Sequence, residues 1–335
     1  MSSTDASTPS SAGTPARARY AYLGPEGTFT QMALDAWAPS AGAEHRPCGS
    51  VDAALALLRA GEVDGAMVPI ENSVEGGVSA TLDALASGDP LVVVAEVLVP
   101  ITFVLAARPG TPLGEVRAVG THSHAWAQVR GWMDARLPDA TYVPTLSTAA
   151  AAAGLAGDAP GAGDGPRAGG EQAAYQAAVC APVAARNHGL EVLAEDIGDN
   201  AAAVTRFVLV ARPGQLPGRT GADKTTLVLF QRDDHAGGLL ELLEQFAVRG
   251  INMSRLESRP TKASMGSYCF SVDIEGHVLD ERVGEALLGL KRVCAEVRFL
   301  GSYPAAHGTA VRVTPHTTDE SFAEARTWLH SLRTT

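Results

Sequence analysis

"LVVVAEVLVPITFVLAA", residues 91–107, is the most apolar run of the chain, and the rest of the molecule depends on what it forms. At 17 residues it is shorter than the roughly 20 that a comfortable membrane-spanning helix needs. It also carries Glu96 and is interrupted by Pro100. Valine dominates it, and β-branched side chains favour a pleated, buried strand over a helix. Two buried strands with a sharp break at Pro100 are therefore expected.

On both sides of this pair, short apolar runs alternate with helical periodicity, the pattern of an α/β sheet protein. "RYAYLG" (19–24) is a strand and "TFTQMALDAW" (28–37) a helix; "SVDAALALLRAG" (50–61) has helical spacing and "VDGAMVPI" (63–70) is the next strand. Beyond the apolar pair, "RAVGTH" (117–122) leads into the helix "SHAWAQVRGWMDARL" (123–137). The alanine run that starts at Ala149 begins as helix and gives way to a Gly/Ala/Pro loop from roughly residue 157 to 170, which suggests no chemistry.

A Pro/Gly linker, "RPGQLPGRTGADK" (212–224), precedes a second unit. There "TTLVLFQ" (225–231) is a strand and "GGLLELLEQFAVRG" (237–250) an amphipathic helix, and "INMSRLESRP" (251–260) is a further strand. "SYCFSVDIEG" (267–276) alternates, with Tyr268, Phe270, Val272 and Ile274 on one face. A helix near 281–296 and the strand "VRFLGSY" (297–303) complete a β-α-β-β-α-β order, the ferredoxin-like arrangement. The tail ends in a possible helix, "DESFAEARTWLHSL" (319–332).

Bulk properties narrow the function. A chain of 335 residues exceeds one ordinary domain. The net charge of −11, with acidic residues scattered, argues against a nucleic-acid or anionic-membrane surface as main partner, although an anionic small substrate needs only a local cluster of donors. Four dispersed cysteines with no CxxC pair suit reduced thiols in the cytoplasm. Residues 1–18, rich in Ser, Thr, Ala and Pro without an apolar core, are expected to be a disordered tail and not a secretory signal.

Three stretches share one construction: "YLGPEGTFT" (22–30), "VPIENSVEGGV" (68–78) and "GTHSHAWAQ" (120–128). In each, a strand ends in glycines or short polar residues before a helix, a turn that aims backbone N–H groups at an anion. Such turns gather at the carboxyl ends of strands, where open α/β sheets bind ligands, although glycine and serine at a turn also serve conformation alone. A fourth stretch, "VTRFVLV" (204–210), places Thr205 and Arg206 just ahead of a buried run, shortly after Asp199 and Asn200. His122 and His124 have no third metal ligand at suitable spacing, so a turn or cleft-wall role is expected and no metal.

Together "GPEGTFT", "VPIENSVEGG", "THSHAWAQ", the spacing from Asp199 to Thr205 into "TRF", and "MSRLESRP" (253–260) closely resemble the prephenate dehydratase family, over residues from about Arg19 to about Tyr303. The resemblance implies two α/β lobes around a cleft, similar to periplasmic binding proteins, over residues 19–213. The chain would cross between lobes near 99–100 and return near 199–203. After a linker (214–223), residues 224–304 look like an ACT regulatory domain, followed by a C-terminal tail (305–335).

By the same resemblance, Thr205 is the catalytic residue assisting departure of the prephenate hydroxyl. Asn72, Ser73, Thr121, Gln128, Arg206 and Phe207 are the substrate-binding candidates, with Arg206 either clamping a carboxylate or pairing with Asp199. Gly237, Gly238, Leu239, Asn252, Met253, Glu257, Ser258 and Arg259 would bind L-phenylalanine as allosteric effector, in a homodimer or homotetramer. No cofactor is implied. Simpler roles stand beside these: Asn72 and Ser73 as helix caps, Gln128 facing solvent, and the second unit as a dimerisation module without ligand. The chain departs from the family pattern at Ala203, Ser123, His124, Ala236 and Gly238. An arogenate dehydratase, or a non-catalytic binding sensor, are the alternative functions.

Overall fold

The structure, a computed structural model, describes residues 17–74, 76–157, 173–261 and 268–334. The expected N-terminal tail and the glycine-rich stretch lie almost wholly outside the described residues. The chain opens with β1 (Arg19–Leu23), α1 (Phe29–Ala36), β2 (Glu44–Cys48), α2 (Val51–Arg59), β3 (Gly65–Asn72), the short β4 (Gly76–Gly77), α3 (Ser79–Ala86) and β5 (Val92–Pro100). It then enters a second sheet with β6 (Val104–Ala107), β7 (Ala118–Thr121), α4 (Ser123–Arg136), β8 (Thr141–Pro144), α5 (Thr148–Ala156), β9 (Ala177–Cys180), α6 (Pro182–Asn187) and β10 (Glu191–Ala194). It returns to the first sheet as β11 (Val204–Ala211). The strand, break and strand read from residues 91–107 are β5 and β6, one in each sheet.

The first sheet runs β2-β1-β3-β11-β5, with β4 against β3; the second runs β10-β6-β9-β7-β8. The returning β11 is antiparallel to both β3 and β5. Its side chains alternate between two environments. Phe207 and Leu209 pack with Tyr22, Leu34 and Met67 on the α1 side. Val208 and Val210 pack with α2 and α3 on the other. Period-two geometry therefore puts Thr205 with Phe207 and Arg206 with Val208.

The remainder consists of β12 (Asp223–Gln231), α7 (Gly238–Ala247), β13 (Met253–Pro260), β14 (Tyr268–Glu275), α8 (Glu281–Val293), β15 (Cys294–Pro304) and an exposed α9 (Asp319–Arg333). The third sheet has the order β13-β14-β12-β15 and is antiparallel throughout. One face carries α7 and α8 over Leu227, Leu229, Phe270, Val272 and Ile274.

Its other face is not open to water. Val228, Cys269, Leu300 and Tyr303 join the core of the first sheet. At the crossing, Gly301 (φ 119°) lies so close to β5 that a Cβ there would sit 2.3 Å from the Val93 carbonyl oxygen. Regular alternation in β14 suggests a half-exposed strand, but Ser271 and Asp273 are buried too. Among the described residues, no helix is long and apolar enough to cross a membrane.

Candidate active site

A cavity of about 310 Å³ lies where the first two sheets face each other. Three helices begin on it. The α1 end contributes Thr28, Phe29 and Thr30, the α4 end His122, His124, Ala125 and Gln128, and the α5 end Ser147 and Thr148. Each start is fixed by a cap: Thr28 accepts from the Gln31 N–H, the His122 ring from the His124 N–H, and Ser147 from the Ala150 N–H. The strands add Asn72, Thr205 and Phe207, and the segment after β5 adds Ile101 and Phe103. Phe29 and Phe103 meet edge to face, 5.7 Å between centroids, as an aromatic wall.

Among the described residues, none of those lining the cavity is Lys, Arg, Asp or Glu. Helix N-termini carry partial positive charge and unpaired N–H groups, so an anion is favoured here without a fixed cation.

Thr205, only 6% exposed, receives a hydrogen bond from the Asn72 amide nitrogen at 2.8 Å. The Val74 N–H donates to the other arm of that amide at 2.8 Å, which fixes which end faces the threonine. Since Asn72 donates to the Thr205 oxygen, the threonine proton is directed to another acceptor. Thr205 lines the cavity, so that acceptor can be a ligand held there.

The other expected site residues separate. Gln128 and Phe207 line the cavity with Asn72 and Thr205. Thr121 does not: it is fully buried and its hydroxyl donates to the Val179 carbonyl at 2.8 Å, holding β7 to β9. Ser73 accepts from the Val204 N–H at 2.9 Å and closes the end of the β3–β11 ladder. Arg206 neither clamps a cavity ligand nor pairs with Asp199. Asp199 instead accepts from the Gly131 and Trp132 N–H groups of α4, at 2.9 and 3.1 Å. Strand alternation explains the correction, because the residue after Thr205 must face the opposite side of the sheet.

There Arg206 is the hub of a buried ionic cluster. It donates to Glu96 (2.6 Å), Glu71 (3.2 Å), Tyr303 (2.8 Å) and Asp273. Lys224 also pairs with Glu96 (2.9 Å), and Arg255 with Asp273 (2.9 Å). Three carboxylates thus meet three cations. Arginine cannot accept, so the Tyr303 proton goes to Thr226 (2.6 Å) and the Thr226 proton to Asp273 (2.7 Å), closing a ring. Burial opposes ionisation of Asp273, but Arg206, Arg255 and the Thr226 hydroxyl outweigh it and hold the carboxyl well below its usual range. Glu96 is likewise lowered: burial works against its charge, and Arg206 and Lys224 prevail. The one acidic residue in the apolar run of residues 91–107 is thus a partner of Arg206.

In the third sheet, Gly237 adopts φ 91° and caps α7, with Gly238 and Leu239 following it. Asn252 donates to Glu275 at 2.8 Å, and Met253 packs on the α7–α8 core. Arg259 pairs with Asp83 of α3 at 3.1 Å, and the Glu257 carboxylate rests where a Cβ of Gly77 would stand. Ser258 is exposed. Asn252 and Arg259 are seven residues apart on an extended strand, about 23 Å at 3.3 Å per residue. One chain does not bring these residues into one pocket.

Sequence reasoning missed Phe29, Phe103 and the Ser147–Thr148 start of α5. The signal was present in "LSTAA" (146–150), where a serine cap precedes an alanine helix.

Set against known proteins, the chain matches the family model described as prephenate dehydratase over residues 20–215. Prephenate dehydratase of Amycolatopsis methanolica is 44% identical over 316 residues, 94% of this chain and 98% of that one. The crystal structure of prephenate dehydratase from Arthrobacter aurescens in complex with L-Phe is 54% identical with a TM-score of 0.87, over 95% of this chain and 100% of that one. A structure described as GqqA, a novel type of quorum quenching acylase, is 29% identical with a TM-score of 0.73, over 86% of this chain and 98% of its own.

Proposed function

This chain belongs to the prephenate dehydratase family, and from that premise we propose how its residues divide the work of turning prephenate into phenylpyruvate, carbon dioxide and water. The electron pair of the ring–carboxylate bond moves into the ring as CO2 departs. The C–O bond to the ring hydroxyl breaks with its pair on oxygen, which takes up one proton and leaves as water. Aromatisation drives both events, so neither a strong nucleophile nor a metal is required.

In this reading the first two sheets are the two lobes of a periplasmic-binding-protein-like catalytic domain over residues 19–213. The crossings after Pro100 and before Val204 support it. The proton comes through Thr205, whose oxygen is occupied by the Asn72 donor and whose O–H is left to point at the departing hydroxyl. That hydrogen bond carries the proposal. A threonine is a very weak acid, so it donates a strong hydrogen bond and relays a solvent proton.

Gln128 and the starts of α1, α4 and α5 hold the substrate's oxygens. The cation-poor lining leaves the departing carboxylate without a partner that would favour it over CO2, and Phe207, Phe29 and Phe103 exclude water around the ring. An acylase would need a base beside its nucleophile; Asn72 offers the Thr205 oxygen a donor instead.

The βαββαβ unit over residues 224–304 is read as an ACT domain that senses L-phenylalanine. The effector would be held by Gly237, Gly238, Leu239, Asn252, Met253, Glu257, Ser258 and Arg259. The L-Phe complex of the Arthrobacter relative supports this. Their spread along β13 fits a homodimer or homotetramer in which an interface between copies unites them.

Thr205→Val at nearly constant shape tests the catalytic part. A kcat loss of about 100-fold with little change in KM is expected, and full turnover would overturn it. Assays with prephenate and arogenate side by side set the substrate preference. For the effector part, calorimetry with L-phenylalanine on wild type and Arg259→Ala is the measurement. No binding by the wild type would end that reading.

A further inference from the structure

Thr205 and Arg206 each face a partner on β3. Thr205 is in register with Asn72 and Arg206 with Glu71, and both pairs are joined through side chains. Immediately afterwards, between Arg206 and Phe207, the β3–β11 register shifts. A bulge interrupts the ladder that would otherwise fix a strand's position. On its other edge β11 keeps an unbroken register with β5 from Val204 to Leu209, so at this point side-chain bonds add to the β5 ladder in setting how β11 lies against β3.

Further side-chain bonds reach Arg206 from the third sheet. Asp273 is 0% exposed and receives Arg206, two nitrogens of Arg255 and the Thr226 hydroxyl. Tyr303 holds the second arm of the same guanidinium. A buried ionic cluster is a weak route to stability, because apolar residues of similar volume often do as well. What it provides is a defined geometry, through the rigid fork of an arginine.

We infer that Asp273 is a positioning residue for the dehydration step, acting across the sheet–sheet interface: by holding Arg206 it sets the strand that presents Thr205 to Asn72. This rests on the reading of Thr205 as the proton donor. The C-terminal unit is then part of the working cleft even without effector, because the donor is placed from behind by it. Misplacement of a reacting group by about 1 Å can reduce a rate about 100-fold, so the effect belongs in kcat.

The test uses the full chain without added amino acid, with thermal melting as the folding check. Asp273→Asn keeps the shape but turns an N–H toward the arginines, and is expected to lower kcat about 30-fold with KM within about threefold. Tyr303→Phe removes two hydrogen bonds, from Arg206 and to Thr226, and no charge, and is expected to lower kcat about fivefold; it decides alone should Asp273→Asn not fold. Arg298→Ala breaks a different contact of β15 with the catalytic part of the chain, to the Gly88 carbonyl at 3.2 Å in the turn between α3 and β5, and is expected to leave kcat unchanged.

Folded Asp273→Asn and Tyr303→Phe proteins with wild-type kcat and only a lower melting temperature would overturn the inference. So would an Arg298→Ala loss as large as that of Tyr303→Phe, since any loosening of the interface would then suffice. The premise fails separately, if Thr205→Val keeps its turnover.

Discussion

The Asn72 amide donates to the Thr205 oxygen, not the reverse, because the Val74 N–H occupies the other arm of the amide. The direction of that bond has a consequence that simple removal of the side chain does not reveal. Asn72→Ala deletes one donor, and a loss of about tenfold in kcat is expected. Asn72→Asp is nearly the same size but can only accept, so it draws the Thr205 proton to itself and sets a negative charge beside an anionic substrate. It should be the slower of the two by at least about tenfold more. Steady-state rates of the two variants, side by side, check this; an aspartate variant at least as fast as the alanine variant would reverse the assigned polarity.

Thr121 makes the opposite kind of prediction. Its hydroxyl is fully buried and joined to the Val179 carbonyl, away from the cavity. Thr121→Val should cost about 1 kcal/mol of stability, roughly 2–4 °C in Tm for a domain of this size. KM for prephenate should stay at its wild-type value. A raised KM with unchanged Tm would return the residue to the substrate site.

These two threonines mark how far the sequence could be read. The alternating elements, the βαββαβ order and the break at Pro100 follow from local periodicity and turn chemistry, which a sequence displays directly. Thr205 and Asn72 were legible as a motif, but their bond joins residues 133 positions apart and needs the register of β3 with β11. Arg206 was misjudged because motif membership says nothing about which face of a strand a residue occupies. Its true partners, Asp273 and Tyr303, belong to a sheet whose docking depends on long-range packing. The alternation in β14 was legible, yet its more polar face is covered as well, since nothing local in a strand reports what lies on its far side.

Where the third sheet crosses the first, Gly301 is held at φ 119° against the Val93 backbone. An alanine there meets both a backbone conformation that side chains disfavour and a carbonyl oxygen that cannot move without disturbing β5. Gly301→Ala should lose about 3 kcal/mol or more. By contrast, the atoms nearest to an alanine Cβ at Gly77 are the carboxylate end of the flexible Glu257 side chain, and Gly77→Ala should lose less than about 1 kcal/mol. Chemical denaturation of the two variants gives the comparison. Equal midpoints would show that the crossing can relax.

The ionic cluster predicts an acid limb in stability. Asp273 and Glu96 both have carboxyl pKa values below their ordinary range in the folded protein. In the unfolded chain the two groups titrate near pH 4. As pH falls below about 5 the unfolded chain therefore takes up protons that the native state refuses, and stability declines with each step. The contribution is complete at neutral pH, begins to fade on approaching the unfolded pKa, and is lost as pH falls through the folded values. Melting temperature should thus be nearly flat from about pH 8 to 6 and drop below about pH 5. In Asp273→Asn the carboxyl is gone from both states, so the drop should be shallower even though the protein starts from a lower Tm. Glu96→Gln removes the other lowered carboxyl and should flatten it as well. An Asp273→Asn acid limb as steep as that of the wild type would mean that proton uptake in acid happens elsewhere in the molecule, and that the cluster is not what ties its stability to pH.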